Sequence, residues 1–151
     1  MRRKDRELLD EKDLYTILDL ASEIRLGLWD GEEVYIVPLN FVRIESKLYI
    51  HSSSVGRKID ILRQGQRLCF EATSSRAIEP KDGSHCTTYF ESVIGWGSAV
   101  FVEDAEKTPI LNAFNRKYGA GEAEFPSELL SRTAVIKIGI DRMTGKAHRA
   151  Q

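Results

Sequence analysis

Residues 51–62 read HSSSVGRKIDIL, a histidine, three serines and a glycine directly before the adjacent cations Arg57 and Lys58. That set suits an anion. Serine hydroxyls donate to phosphate oxygens, Arg57 presents a planar fork of donors, and Lys58 adds a point charge. The pattern after Gly56 predicts a helix over GRKIDILRQ closed by Gly65, and the unpaired amides at a helix start attract phosphate further. A plainer reading makes Ser54 an N-cap and Arg57-Lys58 a solvated helix face. These residues alone leave both readings open. His51 exchanges protons near neutral pH and is the candidate catalytic group, the alternative being a hydrogen-bonding neighbour of whatever binds. His85-Cys86 has no third ligand or base spaced to join it, so no metal or nucleophilic site is expected there.

Strands must hold these residues in place. The run 34–44 is rich in Val, Ile, Tyr and Phe, and from Val34 to Leu39 it is apolar on both alternating faces. That predicts a central strand covered on both sides, with Pro38 as a local break in pairing. LYIHSS should pair back on it. RLCFEAT, residues 67–73, alternates cleanly and predicts a third strand with one wet face. Residues 74–86 read as the longest loop, and TTYFESVIGWGSAVFVED as a long strand bulged or curled at Gly95 and Gly97. TAVIKIGI is the final strand, and the segment from Asp141 to Lys146 after it reads as structural.

Helices fall at the margins. Residues 1–10 form a charged, mobile lead-in, and Leu14, Ile17, Leu18 and Ala21 then mark an amphipathic helix with Asp10 or Asp13 near its start. Asp104 caps another helix, which carries Ile110, Leu111, Phe114 and Tyr118 and ends at Gly119 and Gly121. Five or more hairpin-linked strands curled by glycines close most easily into a small antiparallel barrel.

The totals bound the rest. A chain of 151 residues, 42% hydrophobic and 30% charged, predicts one domain over 1–151. Net charge is -1 from 22 basic and 23 acidic side chains, which offers no general field for nucleic acid or an anionic membrane. Any anion site must be local. Cys69 and Cys86 match no zinc or disulfide spacing and are expected to be reduced. The start MRRKDRELLDEKD is charged where a signal peptide would need an apolar run, and no apolar run approaches about 18 residues. A cytoplasmic location is expected.

The order PLNF, LYIHSS, GRK and ESVIGWGSAVFVED resembles the pyridoxamine 5'-phosphate oxidase-related FMN-binding split barrels, most of all the nitroimidazole-resistance type. The resemblance spans most of the chain, through RTAVIKIGIDRMTGK. It implies a mainly β, Greek-key-like split barrel with peripheral helices, forming a homodimer with one FMN per subunit in a shared groove. It implies that Arg57 and Lys58 clamp the flavin phosphate with Ser52 and Ser53 assisting. Pro38, Leu39 and Asn40 would lie along the ring, His51 close to it, and Ser92 where oxidase relatives carry a flavin-contacting glutamine. Trp96 would reach across the interface to the partner's flavin, or else sit as a core aromatic.

The implied activity is an FMN-dependent oxidoreductase passing hydride equivalents to a small oxidised acceptor, a nitroaromatic among the candidates. No GxGxxG follows a strand, so a nicotinamide donor, NAD(P)H, would visit transiently. The ending KAHRAQ lacks the arginine-rich segment with which oxidase relatives grip their vitamin substrate, which argues against pyridoxine phosphate oxidation. The alternative is a flavin- or haem-binding module for storage, sensing or protection, with His51 as a haem ligand.

Overall fold

The structure, a computed structural model, describes residues 3–81 and 83–150. A short 3-10 turn precedes β1 (Glu7–Leu8) and α1 (Glu11–Leu20), followed by β2 (Ile24–Trp29), β3 (Val34–Leu39), β4 (Phe41–Ile44) and β5 (Lys47–Ser53). Then come α2 (Arg57–Arg63), β6 (Leu68–Lys81), β7 (His85–Phe101), α3 (Asp104–Lys117), α4 (Ser127–Arg132) and β8 (Thr133–His148). One antiparallel sheet runs in the order β3-β2-β6-β7-β8-β5-β4, with β1 added to β8. Its two ends, β3 and β4, are consecutive in the chain and joined through Asn40 alone. The sheet therefore curls without closing, and the fold is a mainly β, antiparallel split barrel with peripheral helices.

Inside the curl, Leu26, Phe41, Leu48, Ile50, Phe70, Ile136 and Ile138 form one dry core with α1 residues Ile17 and Leu18. Helix α1 forms because its apolar residues recur on one face, and the Asp10 carboxylate accepts the Lys12 N–H at 2.9 Å. A second core, Val42, Ile110, Leu111, Phe114 and Val135, joins α3 to the outer side of β4, β5 and β8. Lys107 is 5% exposed and pins α4 to this layer. Its ammonium donates to Asp104 Oδ1 at 2.6 Å and to the carbonyl oxygens of Leu130 and Thr133 at 2.8 and 2.6 Å.

Several expectations are corrected. The apolar run 34–44 is two strands, and β3 lies at an edge with Val34 and Ile36 each 64% exposed. Apolarity on both faces marked a strand that needs cover, and its own chain supplies cover on one face only. Pro38 stays in register opposite Arg25, tolerated because an edge strand has one side without a ladder. Residues 74–86 are not a loop. β6 runs on to Lys81 and pairs with β7 from His85, because the polar residues there alternate on a solvated two-stranded ribbon.

Part of the lead-in is also ordered, since Glu7 and Leu8 pair with Lys146 and Gly145. Glu103, not Asp104, occupies the N-cap of α3, and no side chain caps it. Gly95 and Gly97 serve packing as well as the register shift between Trp96 and Gly97. A Cβ on Gly95 would lie 2.1 Å from the Phe70 ring, and one on Gly97 2.1 Å from the Gly139 carbonyl oxygen.

Candidate functional site

Phe41 opposite Ile50 is the last pair of the β4–β5 hairpin on this side. Beyond it the strands part, with Asn40 and Leu39 going into β3 and His51, Ser52 and Ser53 continuing β5. The opening of the barrel begins there. Ser52 Oγ donates to the Ser53 carbonyl oxygen at 3.1 Å, and Ser53 Oγ accepts the Val55 N–H at 3.4 Å. Ser54 binds the turn to α4 through its N–H, 3.0 Å from the Arg132 carbonyl oxygen. Gly56 turns the chain at φ 123°, where side-chain-bearing residues are strained, and space beyond it is open. It also holds the N-cap of α2, without a side-chain cap. With only seven residues, α2 contributes a short dipole.

Arg57 does not project freely. Its Nη2 donates to Asp30 Oδ2 at 2.6 Å and to Glu33 Oε1 at 2.5 Å, and its guanidinium stacks 4.7 Å above the Tyr35 ring. The bonds to Glu33 and then Asp30 raise its pKa further. Asp30 is itself well built, accepting the N–H groups of Glu33 and Glu32 at 2.8 and 2.9 Å. Those backbone bonds, Glu33 first, and then Arg57 hold its carboxyl at a pKa of about 2. The side chain of Lys58 makes no hydrogen bond or ion pair among the described residues. Of the two cations singled out in the sequence, it is the less engaged.

On the other side of the opening, Leu39 packs against the main core and Pro38 faces out. Asn40 is held indirectly by Tyr118. That hydroxyl accepts the Phe41 N–H at 3.0 Å and donates to the Ser22 carbonyl oxygen at 2.7 Å, tying the bend to α3 and to the chain after α1. His51 shares the outer face of β5 with Tyr49, as strand alternation requires. Its ring meets Phe114 edge-on, centroids 4.6 Å apart, in a cleft of about 240 Å³ shared with Leu111, Asn115, Phe125, Leu129 and Thr133. Desolvation there lowers its pKa, so the imidazole is neutral at pH 7.

The structure sets Leu39 and Asn40 just before β4 and His51, Ser52 and Ser53 just beyond its pairing with β5, while Arg57 reaches the β2–β3 turn; the cleft that His51 lines is shared with α3 and α4 residues and with none of the others. Ser92 and Trp96 lie elsewhere in the chain. His51 pairs with Val135 on β8 whereas Ser92 pairs with Lys146, eleven residues further along, roughly 35 Å of strand path. Trp96 is half-buried on the outer face under the Arg142 guanidinium at 3.8 Å, so its ring has a neighbour that the flanking glycines did not announce. Around it, Trp29, Val34, Ile36, Ile94 and Val100 are exposed, leaving an apolar outer face over β3, β2 and β7. Asp30, Glu33 and Tyr35 were not singled out in the sequence, and Tyr118 stood there only as a residue of the helix before Gly119.

An antiparallel sheet that curls without closing, with helices at its margins, defines the class of protein as a split barrel. The family model described as pyridoxamine 5'-phosphate oxidase matches residues 10–147, and the chain belongs to that family. Among solved structures, a Bacteroides thetaiotaomicron protein named for 5-nitroimidazole antibiotic resistance is 26% identical, with TM-score 0.83 over 93% of this chain and 85% of that one. The flavocytochrome Anf3 of Azotobacter vinelandii is 22% identical, TM-score 0.86 over 99% and 72%. An FAD and haem binding protein of Mycobacterium smegmatis is 18% identical, TM-score 0.87 over 96% and 74%. No curated protein sequence matches the chain.

Proposed function

We propose that this chain is a homodimeric FMN-binding oxidoreductase of the cytoplasm that passes hydride equivalents from a transient NAD(P)H donor to a small oxidised acceptor, nitroaromatic in character. The observation that carries this reading is the opening of the barrel. Ser52 and Ser53 at the end of β5, open space at Gly56 and Lys58 at the start of α2 follow one another in the chain, and the largely apolar strand ending Pro38-Leu39 leads through Asn40 into β4; this reading takes them as the two sides of that opening. That donor set fits a phosphorylated planar group, which needs cations at one end and an apolar slot along its length. Membership of the family and the resemblance to a nitroimidazole-resistance protein support the choice of flavin and acceptor.

When bound, FMN supplies the two-electron chemistry. The residues of the chain do the rest. Lys58 and Arg57 would hold the phosphate with Ser52 and Ser53, and Leu39 and Asn40 would border the ring. His51, neutral and sheltered by Phe114, accepts or holds a proton at its free imidazole nitrogen. Ser92 and Trp96 stand too far along the sheet to serve the same opening and would contribute from a second copy. The exposed apolar face at Ile36, Ile94 and Val100 supplies the surface for that association.

The test begins with the absorption spectrum of the purified protein and the cofactor it releases on heating. A flavin spectrum bleached by NAD(P)H supports turnover, whereas a Soret band selects the haem module instead. Arg57→Ala with Lys58→Ala should weaken FMN binding by about 3 kcal/mol, and equal titrations for variant and parent would end the phosphate assignment. His51→Ala should retain flavin but slow reduction of the acceptor. Sedimentation of the parent at micromolar concentration should show a dimer; a 17.1 kDa species alone would remove the shared groove.

A further inference from the structure

We infer that Asp30 and Glu33 are specificity-determining residues that hold Arg57 in a carboxylate latch, so that a phosphate gains the full guanidinium fork only by displacing them. The inference rests on the flavin reading for its ligand, but its geometry stands apart from it.

Both bonds from the latch fall on one atom. Arg57 Nη2 donates to Asp30 and to Glu33, and an Nη nitrogen has two hydrogens. A guanidinium offers two edges for bidentate contact, one pairing Nε with Nη2 and the other pairing Nη1 with Nη2. Both include Nη2. With its two hydrogens taken, neither edge remains complete, and Arg57 can offer a phosphate only single hydrogen bonds from Nε or Nη1, which have no partner among the described residues. The bidentate grip that makes arginine selective for phosphate is withheld.

Charge acts in the same direction. Two carboxylates around one guanidinium give the latch itself a net charge of -1, which cancels the adjacent Lys58 and removes the net attraction this corner would otherwise have for a dianion. The latch is also rigid on one side and loose on the other. Asp30 is fixed by two backbone N–H groups of its own turn, while the Glu33 side chain is 66% exposed and, among the described residues, bonds only Arg57. Glu33 is thus the part that gives way. Tyr35, beneath the guanidinium, keeps Arg57 at the mouth of the opening when it does. The turn between β2 and β3, which meets the start of α2 through Arg57, thereby sets how strongly the α2 corner discriminates a phosphorylated ligand from an unphosphorylated one.

The test compares the parent with Glu33→Gln and with Glu32→Gln, which removes the same charge from the same turn but no contact with Arg57. FMN and riboflavin are titrated by flavin fluorescence, and inorganic phosphate by the NMR shift of the Arg57 Nε–H. Glu33→Gln should bind FMN and phosphate about fivefold more tightly than the parent, the scale of one exposed ion pair, with riboflavin unchanged. Glu32→Gln should fall well short of it. If FMN binds the parent and Glu33→Gln binds FMN and phosphate no more tightly than the parent or Glu32→Gln, the latch is refuted and the flavin reading survives. If the parent binds neither flavin yet phosphate still distinguishes Glu33→Gln, the flavin reading falls and the latch stands.

Discussion

Strands β3 and β8 are built from similar residues and meet opposite fates. VYIVPL of β3 and TAVIKIGI of β8 are both rich in β-branched side chains, yet Val135, Ile136 and Ile138 have no exposed surface while Val34 and Ile36 are 64% exposed. The difference is neighbours. β8 lies between β7 and β5 and is covered by the inner core on one face and α3 on the other. β3 has β2 on one side and the split on the other. Apolar residues therefore mark where cover is needed, and in one of the two regions this chain does not provide it.

The sharpest way to break that comparison is a matched pair of truncations. Ile136→Ala should cost about 4 kcal/mol in urea unfolding, and Ile36→Ala less than about 0.5 kcal/mol in the monomer; equal losses would mean β3 is covered after all. Next comes Gly97→Ala, which drives a Cβ into the Gly139 carbonyl on the closed side of the barrel and should cost about 3 kcal/mol. Gly56, at the open side, has room for a Cβ but a left-handed φ, so Gly56→Ala should cost about 1 kcal/mol. A reversal of these two would show the corner to be the tighter packed.

Lys107→Met keeps most of the buried volume but leaves two carbonyls and Asp104 without their donor. A loss of about 2 kcal/mol is expected, with α4 loosening first in hydrogen exchange. The smallest effect belongs to His51. Partial desolvation beside Phe114 lowers its folded pKa below the unfolded value of about 6.5, so between the two values the unfolded chain binds more protons and stability rises with pH. The contribution is complete above about pH 6.5, is lost as pH falls through the folded pKa, and is flat below that. His51→Phe should flatten this part of the stability profile, and an unchanged slope would place His51 in the solvent.

Much of the barrel was legible along the chain. Alternation in RLCFEAT, the glycine close after α2 and the apolar spacing of α1 all express local rules that act within a few residues. The same rules misread 74–86, because a polar ribbon of two solvated strands has a loop's composition. They placed β3 centrally because hydrophobicity reports a need for cover without naming what provides it. At the site, the hydroxyls and cations of 51–58 stood out by type. The carboxylates that bind Arg57 did not, since Asp30 and Glu33 precede it by 27 and 24 residues and look like ordinary turn residues. Tyr118, 77 residues from Phe41, carried no signal beyond its place in a helix.

What the order of residues determined unaided is the pattern of individual strands and helices where that pattern is local, and which short segment collects donors for an anion, because backbone preference and side-chain chemistry are properties of neighbours. Only the folded chain decided that the barrel parts at Asn40, that His51 faces Phe114, and that Arg57 is held by two acids from the β2–β3 turn. Those outcomes depend on which distant segments compete for the same space and the same hydrogens, and that competition is settled when the sheet curls.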